Sequence, residues 1–134
     1  MPCRHRPSLL VVEHIRATRE LVALVLRGRY RVQTADTYAQ ALRCVRTTRF
    51  EGVLISVTRQ GVQAGIEAIT ALRAQAGDAT VPLIVVIGPS LEGVRGQFRA
   101  AGGDAFLRMP FGRADLLAVL RDVLPGGGTD RRRA

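Results

Sequence analysis

Apolar residues along this chain fall into short continuous runs separated by stretches of helical spacing. Leu9-Leu10-Val11-Val12, Gly52-Val53-Leu54-Ile55 and Leu83-Ile84-Val85-Val86-Ile87 are unbroken, the pattern of strands buried on both faces of a parallel sheet. Tyr30-Arg31-Val32-Gln33-Thr34 alternates, as a strand nearer an edge does, and Ala105-Phe106-Leu107 reads as a short fifth strand. A first helix is predicted from about Ile15 to Arg27, with Val22 and Leu26 inward and Gly28 ending it. A second follows Asp36 or Thr37 as N-cap and turns Ala41, Leu42 and Val45 to the core. A third covers roughly Gly65 to Ala76, striped by Ile66, Ile69 and Leu72, with Gly77 behind it. A fourth starts behind Ser90, stripes Leu91, Val94, Phe98 and Ala101, and ends at Gly102-Gly103. The fifth carries Leu116, Leu120 and Val123 and is stopped by Pro125. Strands and helices alternating five times imply right-handed crossovers, hence an α/β, doubly wound (βα)5 sandwich of three layers.

The 134 residues suit one domain with a real core. We expect an N-terminal arm over 1–7, the domain over 8–124 and a flexible basic tail over 125–134. No apolar run reaches the ~20 residues of a membrane span, and residues 1–8 lack the apolar core of a signal peptide, so a cytoplasmic protein is expected. Cys3 and Cys44 have neither metal-ligand spacing nor a disulfide framework and read as reduced thiols. The net charge of +9 comes from arginine alone, as the chain has no lysine. It bears on solubility and on attraction to polyanions, and says nothing about fold.

In a doubly wound sheet the chemistry lies beyond the carboxyl ends of the strands. That directs attention to Glu13-His14, Ser56, Ile87-Gly88 and Arg108-Met109-Pro110. The run Leu9 to Tyr30, with Arg19-Glu20-Leu21 in the first helix, resembles the opening of a bacterial response-regulator receiver domain. Ala41-Leu42, Val81-Pro82, Ala101-Gly102-Gly103-Asp104 and Pro110-Phe111 extend the resemblance over about residues 8–124. The resemblance implies a flavodoxin-like sheet of order 2-1-3-4-5 and a cis Met109-Pro110 bond. It also implies phosphoryl transfer to an aspartate with a bound magnesium ion.

The chain departs from the family at the reactive positions. With Phe50-Glu51 standing where the family has Pro-Asp, the acceptor falls on Ser56, and no base is evident to activate its hydroxyl. The acidic pair is Glu13-His14, one carboxylate beside an imidazole, a poor set for a hard ion that wants octahedral oxygen ligands. The strand-four hydroxyl is replaced by Ile87, the lysine by Met109, and the switch aromatic is Phe106. Arg108 is expected to face away from Met109, because neighbouring strand residues point to opposite faces. Ile87, Met109 and Phe106 are expected to fill or line the former pocket, with His14, Ser56 and Arg108 as its polar groups.

The chain is therefore expected to be a pseudo-receiver, a protein-interaction module of two-component-type signalling with no catalysis, cofactor or metal of its own. In receiver relatives the fourth helix, fifth strand and fifth helix mediate contacts. Here Arg95 and Arg99, expected outward, join Arg108 and Arg113 in a basic face for an acidic protein partner or a second copy. A small-molecule sensor using the remodelled site is an alternative. Nucleic-acid binding is the other, with dense arginines but no recognition motif and only 4% aromatic residues.

Overall fold

The unbroken apolar runs pair side by side because only a sheet covered on both faces buries them without stranding backbone polar groups. The computed structural model describes residues 6–76 and 81–124. Strands β1 (Ser8–Val12), β2 (Arg31–Ala35), β3 (Gly52–Ser56), β4 (Leu83–Ile87) and β5 (Ala105–Arg108) form one parallel sheet of order β2-β1-β3-β4-β5. The intervening helices are α1 (Arg16–Leu26), α2 (Tyr38–Thr47), α3 (Val62–Ala76), α4 (Arg95–Ala101) and α5 (Arg113–Val123). This is the (βα)5, flavodoxin-like sandwich expected. Cys3, Gly77, Pro125 and the 125–134 tail lie outside the described residues.

Strand alternation divides the core. Leu10, Val12, Val53, Ile55, Val85 and Ile87 face the side covered by α2, α3 and α4. Leu9, Val11, Leu54, Ile84, Val86 and Leu107 face α1 and α5. Among the described residues no helix is long and apolar enough to cross a membrane.

Helix starts follow local chemistry. Thr37 caps α2, its Oγ1 accepting the Gln40 amide at 3.0 Å. Asp115 in the first turn of α5 accepts the Gly112 amide at 2.8 Å. Two boundaries differ from expectation. A 3₁₀ turn, Arg59–Gly61, precedes α3, which begins earlier, at Val62. The segment expected as one helix behind Ser90 is a 3₁₀ turn over Pro89–Val94 followed by the short α4. Gly93 is a poor helix former, and the tighter turn still buries Leu91 while α4 buries Phe98.

Gly102 and Gly103 close α4 and admit β5. Gly102 has φ of 130°, the region that glycine alone occupies readily. A Cβ on Gly103 would sit 2.9 Å from Val85 Cγ2 and 3.2 Å from the Phe98 carbonyl oxygen. Arg73 ties this corner to α3, donating to the Val81 and Gly102 carbonyls at 2.6 Å each and to Asp104. The same Asp104 oxygen accepts the Leu83 amide at 2.8 Å.

Candidate functional site

Parallel strands deliver their C-terminal residues to one rim, so β1 brings Glu13 beside Ser56 at the end of β3. Glu13 is 5% exposed, the one buried charged residue among those described. Burying a carboxyl group is costly unless both oxygens are satisfied. Here Ser56 Oγ donates to Glu13 Oε1 at 2.6 Å, and the Ile15 amide donates to Oε2 at 3.0 Å. His14 is mostly exposed, with Nδ1 3.6 Å from Glu13 Oε2. Arg19 clamps the same turn, donating to the Glu13 carbonyl at 2.9 Å.

Tyr38 covers this group from the start of α2. Its hydroxyl donates to the Ser56 carbonyl at 2.9 Å, and burial, reinforced by the charge of Glu13, raises its pKa above the usual tyrosine value. A half-open cavity of about 290 Å³ lies beside it, lined by Val12, His14, Asp36, Thr37, Tyr38, Ser56, Thr58 and Gly61. Among the described residues no three His, Cys, Asp or Glu side chains cluster as a metal site would need.

Several expected positions are not brought together. Of the residues expected around a remodelled pocket, only His14 and Ser56 line this cavity. Ile87 is fully buried in the core cluster on the α2, α3 and α4 side. Phe106 packs at the edge of that cluster, whereas Met109 packs on the opposite side with the α1 and α5 cluster. The pleat explains the split, since Met109 continues the face of Leu107. Arg108 continues the face of Phe106 and turns to Glu92, Nη1 to Oε2 3.7 Å. Arg108 is thus kept from Met109, as expected, but it is no part of the cavity.

Arg99 is exposed, as expected, whereas Arg95 is half-buried; both guanidinium groups lie over the Phe106 ring, each 4.9 Å from its centroid. Glu92 accepts from Arg95 at 3.1 Å. Arg95 Nε is buried without a hydrogen-bond partner among the described residues. Arg113, at the start of α5, is exposed. Tyr38 and Thr58 were not anticipated in the site. The only signal was their position, one residue past a helix cap and two past a strand end.

No family model and no curated protein matches this sequence. Solved structures do match. The chemotaxis response regulator CheY4 of Vibrio cholerae is 26% identical, with a TM-score of 0.81, over 90% of this chain and 100% of that one. The receiver domain of sensor histidine kinase PA1611 from Pseudomonas aeruginosa, with magnesium coordinated in its active-site cleft, is 29% identical. Its TM-score is 0.76, over 89% of this chain and 98% of that one. A CheY-like receiver domain protein from Methanospirillum hungatei, 20% identical with a TM-score of 0.78, covers 88% of this chain and 93% of its own, and shares the fold. The chain thus has the receiver-domain fold of two-component signalling.

Proposed function

We propose that this chain is a pseudo-receiver, a receiver-fold domain that signals through protein contacts and without phosphorylation on aspartate. One observation carries the reading: the acceptor position holds Ser56, a hydroxyl in place of a carboxylate, although the structure does give it a carboxylate partner the sequence did not show, Glu13 at 2.6 Å. A serine bound this way could form a phosphate ester but never the acyl phosphate of a carboxylate, and the incoming phosphate would meet Glu13. The donor set does not fit magnesium either. Both Glu13 oxygens are engaged by the protein, the neighbouring groups are a hydroxyl and an imidazole, and Asp36, the carboxylate on the cavity wall, does not cluster with them as a metal site would need. The PA1611 receiver, by contrast, coordinates magnesium in its cleft.

Intact-mass measurement after incubation with acetyl phosphate and magnesium tests the proposal. No adduct is expected; a stoichiometric, hydroxylamine-labile phosphoryl adduct would overturn it.

Output would pass through α4, β5 and α5, which carry Arg95, Arg99, Arg108 and Arg113, with Glu92 pairing Arg95 and Arg108. A basic surface of this kind suits an acidic partner and sets association rate and specificity more than raw affinity. The cavity beside Tyr38 supports a second reading, a sensor for a small polar molecule. At about 290 Å³ it lies at the lower end of ligand-pocket sizes. A library compound that raises the melting temperature of this chain, with the gain lost on Ser56→Ala, would favour that reading, since a ligand bound to the native state stabilises it by mass action.

A further inference from the structure

We propose that the open edge of β2 is a docking surface for an extended, acidic segment of a partner protein, which pairs with β2 as an added strand of the sheet. The Arg31 amide donates to the Pro7 carbonyl at 2.9 Å, and the Ala35 carbonyl accepts the Glu13 amide at 3.0 Å. In the parallel register of β1 and β2, Arg31, Gln33 and Ala35 thus spend their backbone groups on β1. Successive residues of a strand direct these groups to opposite sides, so Val32 and Thr34 turn theirs outward. No hydrogen bond reaches those groups among the described residues. Nor do the neighbouring helices cover the strand, since Arg31 and Gln33 are exposed.

The side chains around the edge select the occupant. Arg27, Arg29 and Arg31 are exposed along the turn into β2, and Arg6 joins them by donating to the Arg27 carbonyl at 3.2 Å. Beside the strand, Thr34 shares with Arg16, Arg19 and Arg27 the lining of a groove of about 670 Å³. The carboxylates nearby are Glu20, held by Arg16 at 2.9 Å, and Asp36, which follows the last residue of β2. Charged residues on an edge strand commonly deter pairing between copies. The arginines act in that way against a second copy, because two-fold pairing of β2 with β2 would set the same cations face to face. For a strand with alternate glutamates they do the reverse, as its backbone continues the ladder while its carboxylates meet the arginines.

The test uses the full chain and a dye-labelled peptide of about seven residues that alternates glutamate with valine, long enough to span the edge. One control peptide carries lysine for glutamate. Two others keep every charge and N-methylate either the glutamate or the valine amides, so that one of them lacks the donors facing β2. Anisotropy at physiological salt should show the glutamate peptide binding at least about tenfold tighter than the lysine peptide and than one of the methylated peptides. Bound peptide should slow hydrogen exchange at the Val32 and Thr34 amides. Thr34→Pro removes an outward donor where an edge strand tolerates proline, so circular dichroism should be unchanged while affinity falls by about tenfold or more. R29E/R31E, which leaves the backbone as it is, should weaken binding by about tenfold or more as well.

Equal binding of both methylated peptides, or unchanged exchange at Val32 and Thr34 in the bound state, would reduce the contact to charge attraction and overturn the proposal. Binding that survives R29E/R31E, or no binding of the glutamate peptide up to about 1 mM, would do the same. Where Thr34→Pro fails to fold, the methylated peptides and the exchange pattern decide. A free dimer in sedimentation that Thr34→Pro breaks would assign the edge to a second copy and equally overturn the proposal. Because β1 stands between this edge and Ser56 on β3, the outcome is independent of the phosphorylation test.

Discussion

Glu13 is a buried carboxyl group held by two donors, one a side chain and one a backbone amide. Removing the Ser56 hydroxyl leaves one oxygen unsatisfied, so Ser56→Ala should destabilise the fold by about 1–3 kcal/mol in urea unfolding. Ser56→Asp would set a second carboxylate against the first and should be worse at neutral pH than at acid pH, where protonation removes the repulsion. Tyr38 and Tyr30 are the two tyrosines, and burial raises both pKa values, with Glu13 adding to the rise at Tyr38. The buried neutral form is favoured, so this stability is present in full below the unfolded value of about 10 and lost as pH climbs past it. With no tryptophan present, absorbance near the tyrosinate band should show both rings ionising later in native than in urea-unfolded protein. Simultaneous ionisation in the two states would refute the assignment. The positions of Glu13, Ser56 and Ile87 were legible in the sequence because unbroken apolar runs mark their own ends. The destination of Met109 was not, because the side it takes depends on where β5 stops pairing. Nor was Tyr38, whose reach to the Ser56 carbonyl depends on how α2 approaches the sheet.

At the scale of elements, the five strands and the inward stripes of α1, α2 and α5 followed from periodicity alone. What periodicity missed was the change from 3₁₀ turn to helix at Val94, since both geometries place apolar residues inward at similar spacing. The corner after α4 is held by charge and backbone conformation together. Asp104→Ala should cost about 1.5–3 kcal/mol by removing the acceptor shared by Arg73 and the Leu83 amide. Gly102→Ala should cost at least about 1 kcal/mol, because φ of 130° is unfavourable for a residue with a Cβ. Thermal or urea unfolding of each variant checks these values, and additivity in the double variant would show that the two devices act separately. On the neighbouring face, Arg95 and Arg99 each gain about 0.5–1 kcal/mol from Phe106. Reversing both to glutamate should therefore lower stability as well as invert the salt dependence of partner binding. Phe106→Leu, which removes the ring and keeps the charges, separates the two effects: stability should fall while the salt dependence persists.

Over the whole molecule the charge is unevenly placed. Nine arginines and three carboxylates lie between Arg6 and Phe50, against seven and seven between Glu51 and Leu124. Sheet order sends the first group to one side, since β1, α1, β2 and α2 build the β2 edge. A polyanion should therefore be drawn to that edge by field alone. The features that would turn attraction into recognition are missing there, because Tyr30 is buried in the core, Tyr38 is committed to the strand-end site, and the chain has no tryptophan. Labelled duplex DNA should bind this chain at low salt, with a shuffled sequence competing equally. If about five phosphates are engaged, log K should fall by roughly four to five for each tenfold rise in salt, leaving negligible binding at physiological ionic strength. Sequence-selective binding that persists at that ionic strength would make nucleic acid the partner of the β2 edge and displace the protein-contact reading, because the arginine face of α4 would not be needed to explain it.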